Sequence, residues 1–206
     1  MIGRKKRFIF IHIPKTGGTS VQVSLWRYGK VLQGEQNFDS IYFKHIAATD
    51  LKALMGDDFS SYYKFSIVRN PWDWAVSNYL FNRGLHRPFV KNTTYEVHSE
   101  IPAWAKEMSF EEWLPWWVDT FNPSQSMMLC DEKGHLLIDE VFRFEALAGD
   151  SKKLYKRLKI FKLFSDFPHI NQSTRSKSYK EYYSDETHEF ISQHFREDIE
   201  RFGYEF

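Results

Sequence analysis

The chain has 206 residues, with 28 Lys and Arg against 27 Asp and Glu and a formal charge of +1, so it lacks the basic excess of a general nucleic-acid binder. Its length suffices for one substantial core, and a single domain over residues 1–206 is expected. The lone cysteine, Cys130, excludes an intrachain disulfide framework and a cysteine-rich metal site, while 18% aromatic residues imply a well-filled core or an aromatic-lined cleft.

At the amino terminus, Arg4-Lys5-Lys6-Arg7 before a short apolar run imitates a signal peptide, but the run is too short and leads directly into a glycine loop. No stretch approaches the roughly 20 apolar residues of a membrane span. A cytoplasmic protein without a transmembrane span is therefore expected. Phe8-Ile9-Phe10-Ile11-His12-Ile13 reads as a strand, with His12 a structural residue near its end. It opens onto Pro14-Lys15-Thr16-Gly17-Gly18-Thr19-Ser20. Apolar residues at Val21, Leu25 and Tyr28, followed by Gly29, then predict a helix.

The glycines thus stand where a helix begins. Backbone N–H groups there lack intrahelical partners and carry the positive end of the helix dipole, which suits a phosphate or sulfate. Gly17 and Gly18 permit close backbone approach, Lys15 adds a full charge, and the hydroxyls of Thr16, Thr19 and Ser20 can donate. The competing reading is an ordinary strand-turn-helix junction. A Walker A loop is a poor match, because its lysine follows the last glycine, whereas Lys15 precedes both glycines here.

Further along, Ile41-Tyr42-Phe43 and His45 precede a helix predicted from about Thr49, with Thr49 as its cap. A second strand-to-helix junction follows at 64–79. Arg69 ends the strand, Asn70 can cap the helix, Pro71 suits its first position and Asp73 its first turn. In open α/β sheets, ligands bind outside the carboxyl ends of the strands, so both junctions can address one molecule. A surface ion pair for Arg69 and a bystander role for Ser77 form the rival account.

Together the two junctions resemble the nucleotide site of sulfotransferases. Pro14-Lys15-Thr16-Gly17-Gly18-Thr19-Ser20 is similar to their 5′-phosphosulfate loop, and Arg69, Pro71, Ser77 and Tyr79 match their Arg-x-Pro-(x)5-Ser-x-Tyr signature for the 3′-phosphate. The wording of the loop and of Val68-Arg69-Asn70-Pro71-Trp72-Asp73 is similar to the branch that includes the carbohydrate O-sulfotransferases. Further echoes lie at Gln125-Ser126, Phe142 to Leu147, Asn171-Gln172-Ser173, Tyr182-Tyr183 and 198–206. One departure is Trp74, where the family often has a basic residue.

The resemblance implies an α/β fold, a P-loop-like three-layer arrangement with a central, mainly parallel sheet flanked by helices. It implies 3′-phosphoadenosine 5′-phosphosulfate as donor, adenosine 3′,5′-bisphosphate as product, no required metal, and a hydroxyl acceptor expected to be a carbohydrate. Cofactor contacts are then expected from Lys15, Thr16, Gly17, Gly18, Thr19, Ser20, Arg69 and Ser77, and from Ser173 and Arg175 in a late loop. His45 occupies the region where related enzymes carry a catalytic histidine, and its ordinary pKa suits base work. A hydrogen-bonded structural histidine is the alternative, with Glu96 and His98 as reserve bases. A P-loop kinase and a catalytically inactive nucleotide- or glycan-binding module are the competing functions.

In the remaining chain, Trp104, Trp113, Trp116 and Trp117 could form an acceptor cleft or a core. Ser109 to Glu112 is a capping-box pattern, with Pro115 able to shorten or bend the helix. A third strand is expected at Glu140 to Phe144, followed by a helix capped by Asp150. That helix region carries Lys152, Lys153, Lys156, Arg157, Lys159 and Lys162, either a solvated face or a patch for an anionic acceptor. Phe190, Ile191, Phe195 and Ile199, with Gly203 beyond, predict one terminal core helix.

Overall fold

The computed structural model describes residues 1–30, 45–84, 101–161, 167, 175 and 177–206. Tyr42, Phe43, His86, Glu96, His98, Lys162, His169, Asn171, Gln172 and Ser173 lie outside the described residues. The chain divides into two compact units, the first made of Met1–Arg69 and Gln125–His169, the second of Asn70–Ser124 and Ile170–Phe206.

The first unit is an α/β structure built on a four-stranded sheet in the order β1-β2-β3-β4. These strands are β1 (Ile2–Gly3), β2 (Phe8–Ile11), β3 (Tyr63–Val68) and β4 (Glu140–Arg143). β1 runs antiparallel to β2, whereas β2, β3 and β4 are parallel, with Phe10 opposite Phe65 and Phe65 opposite Glu140. A parallel sheet covered on both faces demands continuous apolar strands, and every residue of β2 is buried. Phe8, Phe10, Phe65, Ile67 and Phe142 share a core with Val21 and Leu25 of α1 (Gly18–Leu25) and Leu147 and Leu154 of α6 (Leu147–Arg157). The Phe10 and Phe65 rings stack at 5.1 Å, and Phe142 meets Phe65 edge-on at 6.0 Å. Burying each such side chain contributes about 1.5–3 kcal/mol.

Among the described residues, two other helices belong to this unit, α2 (Ala48–Met55) and α5 (Gln125–Leu129). Several boundaries differ from the sequence reading. α1 starts at Gly18 and stops at Leu25, so Gly29 lies beyond it in a turn. α2 starts at Ala48 behind Ala47, which puts Thr49 inside the helix rather than at its cap. Likewise, a 3-10 turn over Phe144–Ala146 feeds α6 directly, so Asp150 sits in the first turn and does not cap it. The buried Leu147 draws that start forward by joining the face formed with Leu154.

The basic side chains at 152, 153, 156, 157 and 159 are exposed, which fits the solvated-face reading. Two of them clamp the amino ends of the strands. Lys153 pairs with Glu140, which also accepts from the Tyr63 hydroxyl, and the Arg157 guanidinium lies 4.9 Å from the Tyr63 ring centre. Burial pushes the Glu140 carboxyl up, but the Lys153 ammonium and the Tyr63 hydroxyl outweigh it, leaving Glu140 below the usual carboxylate value. Burial, followed by the bond to Glu140, raises the Tyr63 hydroxyl.

The second unit is helical among its described residues. α3 (Pro71–Asn82) is capped by Asn70 Oδ1, which accepts from the amides of Trp72 and Asp73 at 3.1 and 3.3 Å. α4 (Phe110–Phe121) opens with the expected Ser109/Glu112 capping box and continues through Pro115. The terminal stretch forms two helices, α7 (Asp185–His194) and α8 (Arg196–Phe202), separated at Phe195. Phe195 departs from helical geometry while its ring is buried between Trp74 and Trp117, so packing breaks the continuous periodicity.

The tryptophans divide into two groups. Trp113 and Trp117 stack at 5.0 Å inside the core, and Trp74 meets Trp117 edge-on at 5.6 Å. Trp74 therefore packs as a core ring in the position where a basic contact is common. Trp104 is 56% exposed and meets Trp116 edge-on. The set is not a single aromatic cleft.

Candidate functional site

The loop between β2 and α1 has the backbone of an anion cradle. Lys15 is left-handed at φ +62° and Gly17 at φ +81°, so alternate residues turn their backbone in the same sense. A lysine in that region carries a Cβ penalty, as Arg7 and Lys159 do in their turns, and here it stands two residues from a left-handed glycine. Gly17 occupies the N-cap of α1 and no side chain caps the helix; the Ser20 amide donates to the Gly17 carbonyl at 3.0 Å, so the Gly18 and Thr19 N–H groups are the ones placed to meet a ligand or water. Thr16 is different from the other hydroxyl residues. Its Oγ1 donates to the Ile13 carbonyl at 2.9 Å, so its hydroxyl tightens the loop and its backbone amide is what it can offer an anion.

Residues from the ends of the next two strands hold this loop. Arg69 is 6% exposed, and its Nη1 donates to the Lys15 carbonyl at 2.9 Å. The guanidinium also lies 4.2 Å from the Phe144 ring centre. Phe144 in turn packs on the loop, since a Cβ at Gly17 would fall 2.9 Å from its ring. Loop, arginine and aromatic ring thus meet at the carboxyl ends of β2, β3 and β4. Arg69 here is a buried clasp rather than a surface ion pair.

Gln125 fixes the clasp from beneath. Its Oε1 accepts from the Arg69 amide and its Nε2 donates to the Arg69 carbonyl, both at 2.8 Å, and it is fully buried. In the sequence Gln125 was only an echo of the family, because nothing local ties it to a residue 56 positions earlier. His45 lies close to the same loop, with Nδ1 2.8 Å from the His12 carbonyl oxygen. The first unit therefore brings together 15–20, Arg69 and His45.

Ser77 and Arg175 belong to the second unit. Ser77 is buried on α3, and Arg175 Nη1 pairs with the buried Asp73 carboxylate at 2.5 Å. Arg175 is thereby tied to the first turn of α3, while Ser173 lies outside the described residues. Elsewhere in the first unit, an open hollow of about 670 Å³ is lined by Thr49, Lys52, Asp57, Asp131, Lys133 and His135. Asp131 there accepts from the amides of Lys133 and His135. No three His, Cys, Asp or Glu side chains among the described residues are grouped to hold a metal.

At the strand ends, a mainly parallel α/β sheet carries a left-handed lysine-glycine loop before a helix without a side-chain cap, and an arginine closes on that loop. The sulfotransferase family pattern matches residues 1–205, and the chain belongs to the sulfotransferase family. The resemblance read from the two motifs is thus borne out over nearly the whole chain. No curated protein sequence gives a significant match. Among the described residues, no helix is long and apolar enough to cross a membrane.

Proposed function

We propose that the protein transfers a sulfuryl group from 3′-phosphoadenosine 5′-phosphosulfate to a hydroxyl acceptor of carbohydrate type. The observation that supports this reading is the loop itself, in which Lys15 and Gly17 are left-handed, α1 starts without a side-chain cap and Arg69 donates to the Lys15 carbonyl. The fit is one of chemistry. Uncapped N–H groups and a cation suit the phosphosulfate end, and the Arg-x-Pro-(x)5-Ser motif assigns Arg69 and Ser77 to the 3′-phosphate.

The donor supplies the sulfuryl group and a good leaving group. The chain supplies position and charge. Lys15 and the loop amides stabilise negative charge on the departing phosphate oxygen, as preorganised donors do in acyl and phosphoryl transfer. His45 takes the acceptor's proton, a task that needs hydrogen-bond reach more than an unusual pKa. The proposal includes a single catalytic domain over residues 1–206, no metal requirement and a cytoplasmic location, the last to be checked by fractionating the source cells.

A thermal-shift titration tests the donor. Stabilisation by adenosine 3′,5′-bisphosphate without magnesium is expected, and preference for magnesium-ATP would favour a P-loop kinase instead. A screen of acceptor classes with radiolabelled sulfate donor tests the reaction. Carbohydrates are expected to take label, label on another hydroxyl class would correct the acceptor, and binding without any transfer would point to an inactive module.

A further inference from the structure

His12 and His45 are 33 residues apart, yet they form a pair within the first unit. Their ring centres are 4.5 Å apart at 58°, and His45 Nδ1 sits 2.8 Å from the His12 carbonyl oxygen. A carbonyl oxygen can only accept, so Nδ1 carries the hydrogen in this contact. The lone pair of the neutral ring is then on Nε2.

The His12 ring is held by its own surroundings. It is 4% exposed and lies along the Phe10 ring at 5.5 Å and 19°. It also fills the space that a side chain at position 18 would need, since a Cβ on Gly18 would come 2.0 Å from His12 Cδ2 and 2.2 Å from Nε2. Gly17 is needed for its left-handed φ, but Gly18 is absent from the positive-φ glycines. The bare backbone at 18 is therefore explained by the ring packed against it.

We propose that His12 is a positioning residue: seated in the space left by Gly18, it presents its carbonyl to His45 and keeps that ring in the Nδ1–H form, with the accepting lone pair on Nε2. The function of this arrangement rests on the reading of His45 as base. The His12 carbonyl ties the base to the chain just beyond β2, and the bare backbone at Gly18 leaves that residue undisturbed, so the second glycine of the loop serves the acceptor side of the reaction as well as the donor side.

Two-bond proton–nitrogen spectra of protein labelled with ¹⁵N-histidine, recorded with His45 neutral and assigned with His45→Gln, read the tautomer directly. The wild type is expected to show the Nδ1–H pattern for His45. Gly18→Ala is expected to lose it, and Gly18→Ala combined with His12→Ala to regain it, because removal of the ring makes room for the methyl group while the carbonyl remains. If the single variant fails to fold and the double variant folds, the conflict with the His12 ring is equally demonstrated. An Nε2–H pattern in the wild type, an unchanged pattern in Gly18→Ala, or equal loss in single and double variants overturns the proposal. Failure of wild type to bind the bisphosphate would instead overturn the sulfotransfer reading and leave the tautomer result standing.

Discussion

Helix α4 begins with Ser109, whose hydroxyl accepts from the Glu112 amide while the Glu112 carboxylate reaches back to the Ser109 amide. Helix α1 begins with Gly17, which has no side chain to offer, behind a lysine forced into left-handed backbone. The first start satisfies its own N–H groups and gains stability. The second gives up that side-chain cap and adds a Cβ penalty at Lys15, an arrangement that suits the anion site proposed above. The difference shows how a helix start can be built for holding the fold or for holding a ligand, and the residues at the N-cap decide which.

Lys15 is the position where the contrast breaks most sharply. Lys15→Ala should lower sulfuryl transfer by about a hundredfold or more, measured against whichever acceptor the screen returns. Lys15→Gly should lose comparable activity yet raise stability by up to about 1 kcal/mol, because glycine adopts the left-handed conformation without the Cβ penalty. A destabilised Lys15→Gly chain in thermal melts would contradict the strain argument.

Gln125→Leu comes next. It removes both bonds to the Arg69 backbone in a fully buried place, so unfolding titrations should show a loss of about 2 kcal/mol or more, and bisphosphate binding should weaken as the clasp on Lys15 loosens. Unchanged nucleotide affinity would separate Gln125 from the site. Ser109→Ala should cost only about 1 kcal/mol, a fall of about 2–4 °C in Tm, with bisphosphate affinity unaltered. That pairing of stability loss with intact binding is the mirror image of Lys15→Gly.

The smallest expected effect is at the amino ends of the strands. Glu140 titrates below its ordinary value in the folded state, so its contribution is present above the unfolded carboxylate range and is lost as pH falls through the folded value. Glu140→Gln should therefore be less stable than wild type near neutral pH, with the gap closing below about pH 4.5. A gap that stays constant down to low pH would assign the effect to packing instead of charge.

Much of this was legible locally. Four apolar residues before Lys15 announced β2, the glycines marked the start of α1, and Asn70-Pro71 and Ser109 with Glu112 announced two helix starts that formed as expected. Boundaries failed where distant packing intervened, as at Leu147 ahead of Asp150 and at Phe195 between α7 and α8. The tryptophans of 104–117 could not be sorted by composition, because only the facing helices decide which ring is covered.

By itself the sequence determined the sulfotransferase class, the place of the lysine-glycine loop and two of the helix starts, since each depends on residues adjacent along the chain. Tertiary structure decided that Arg69 closes on the Lys15 carbonyl, that Phe144 lies against both Arg69 and Gly17, that Gln125 supports Arg69 from 56 residues away, and that His12 meets His45. Hydrogen bonds and ring contacts between remote positions depend on the packing of β2, β3 and β4 against one another. No periodicity along the chain encodes those distances.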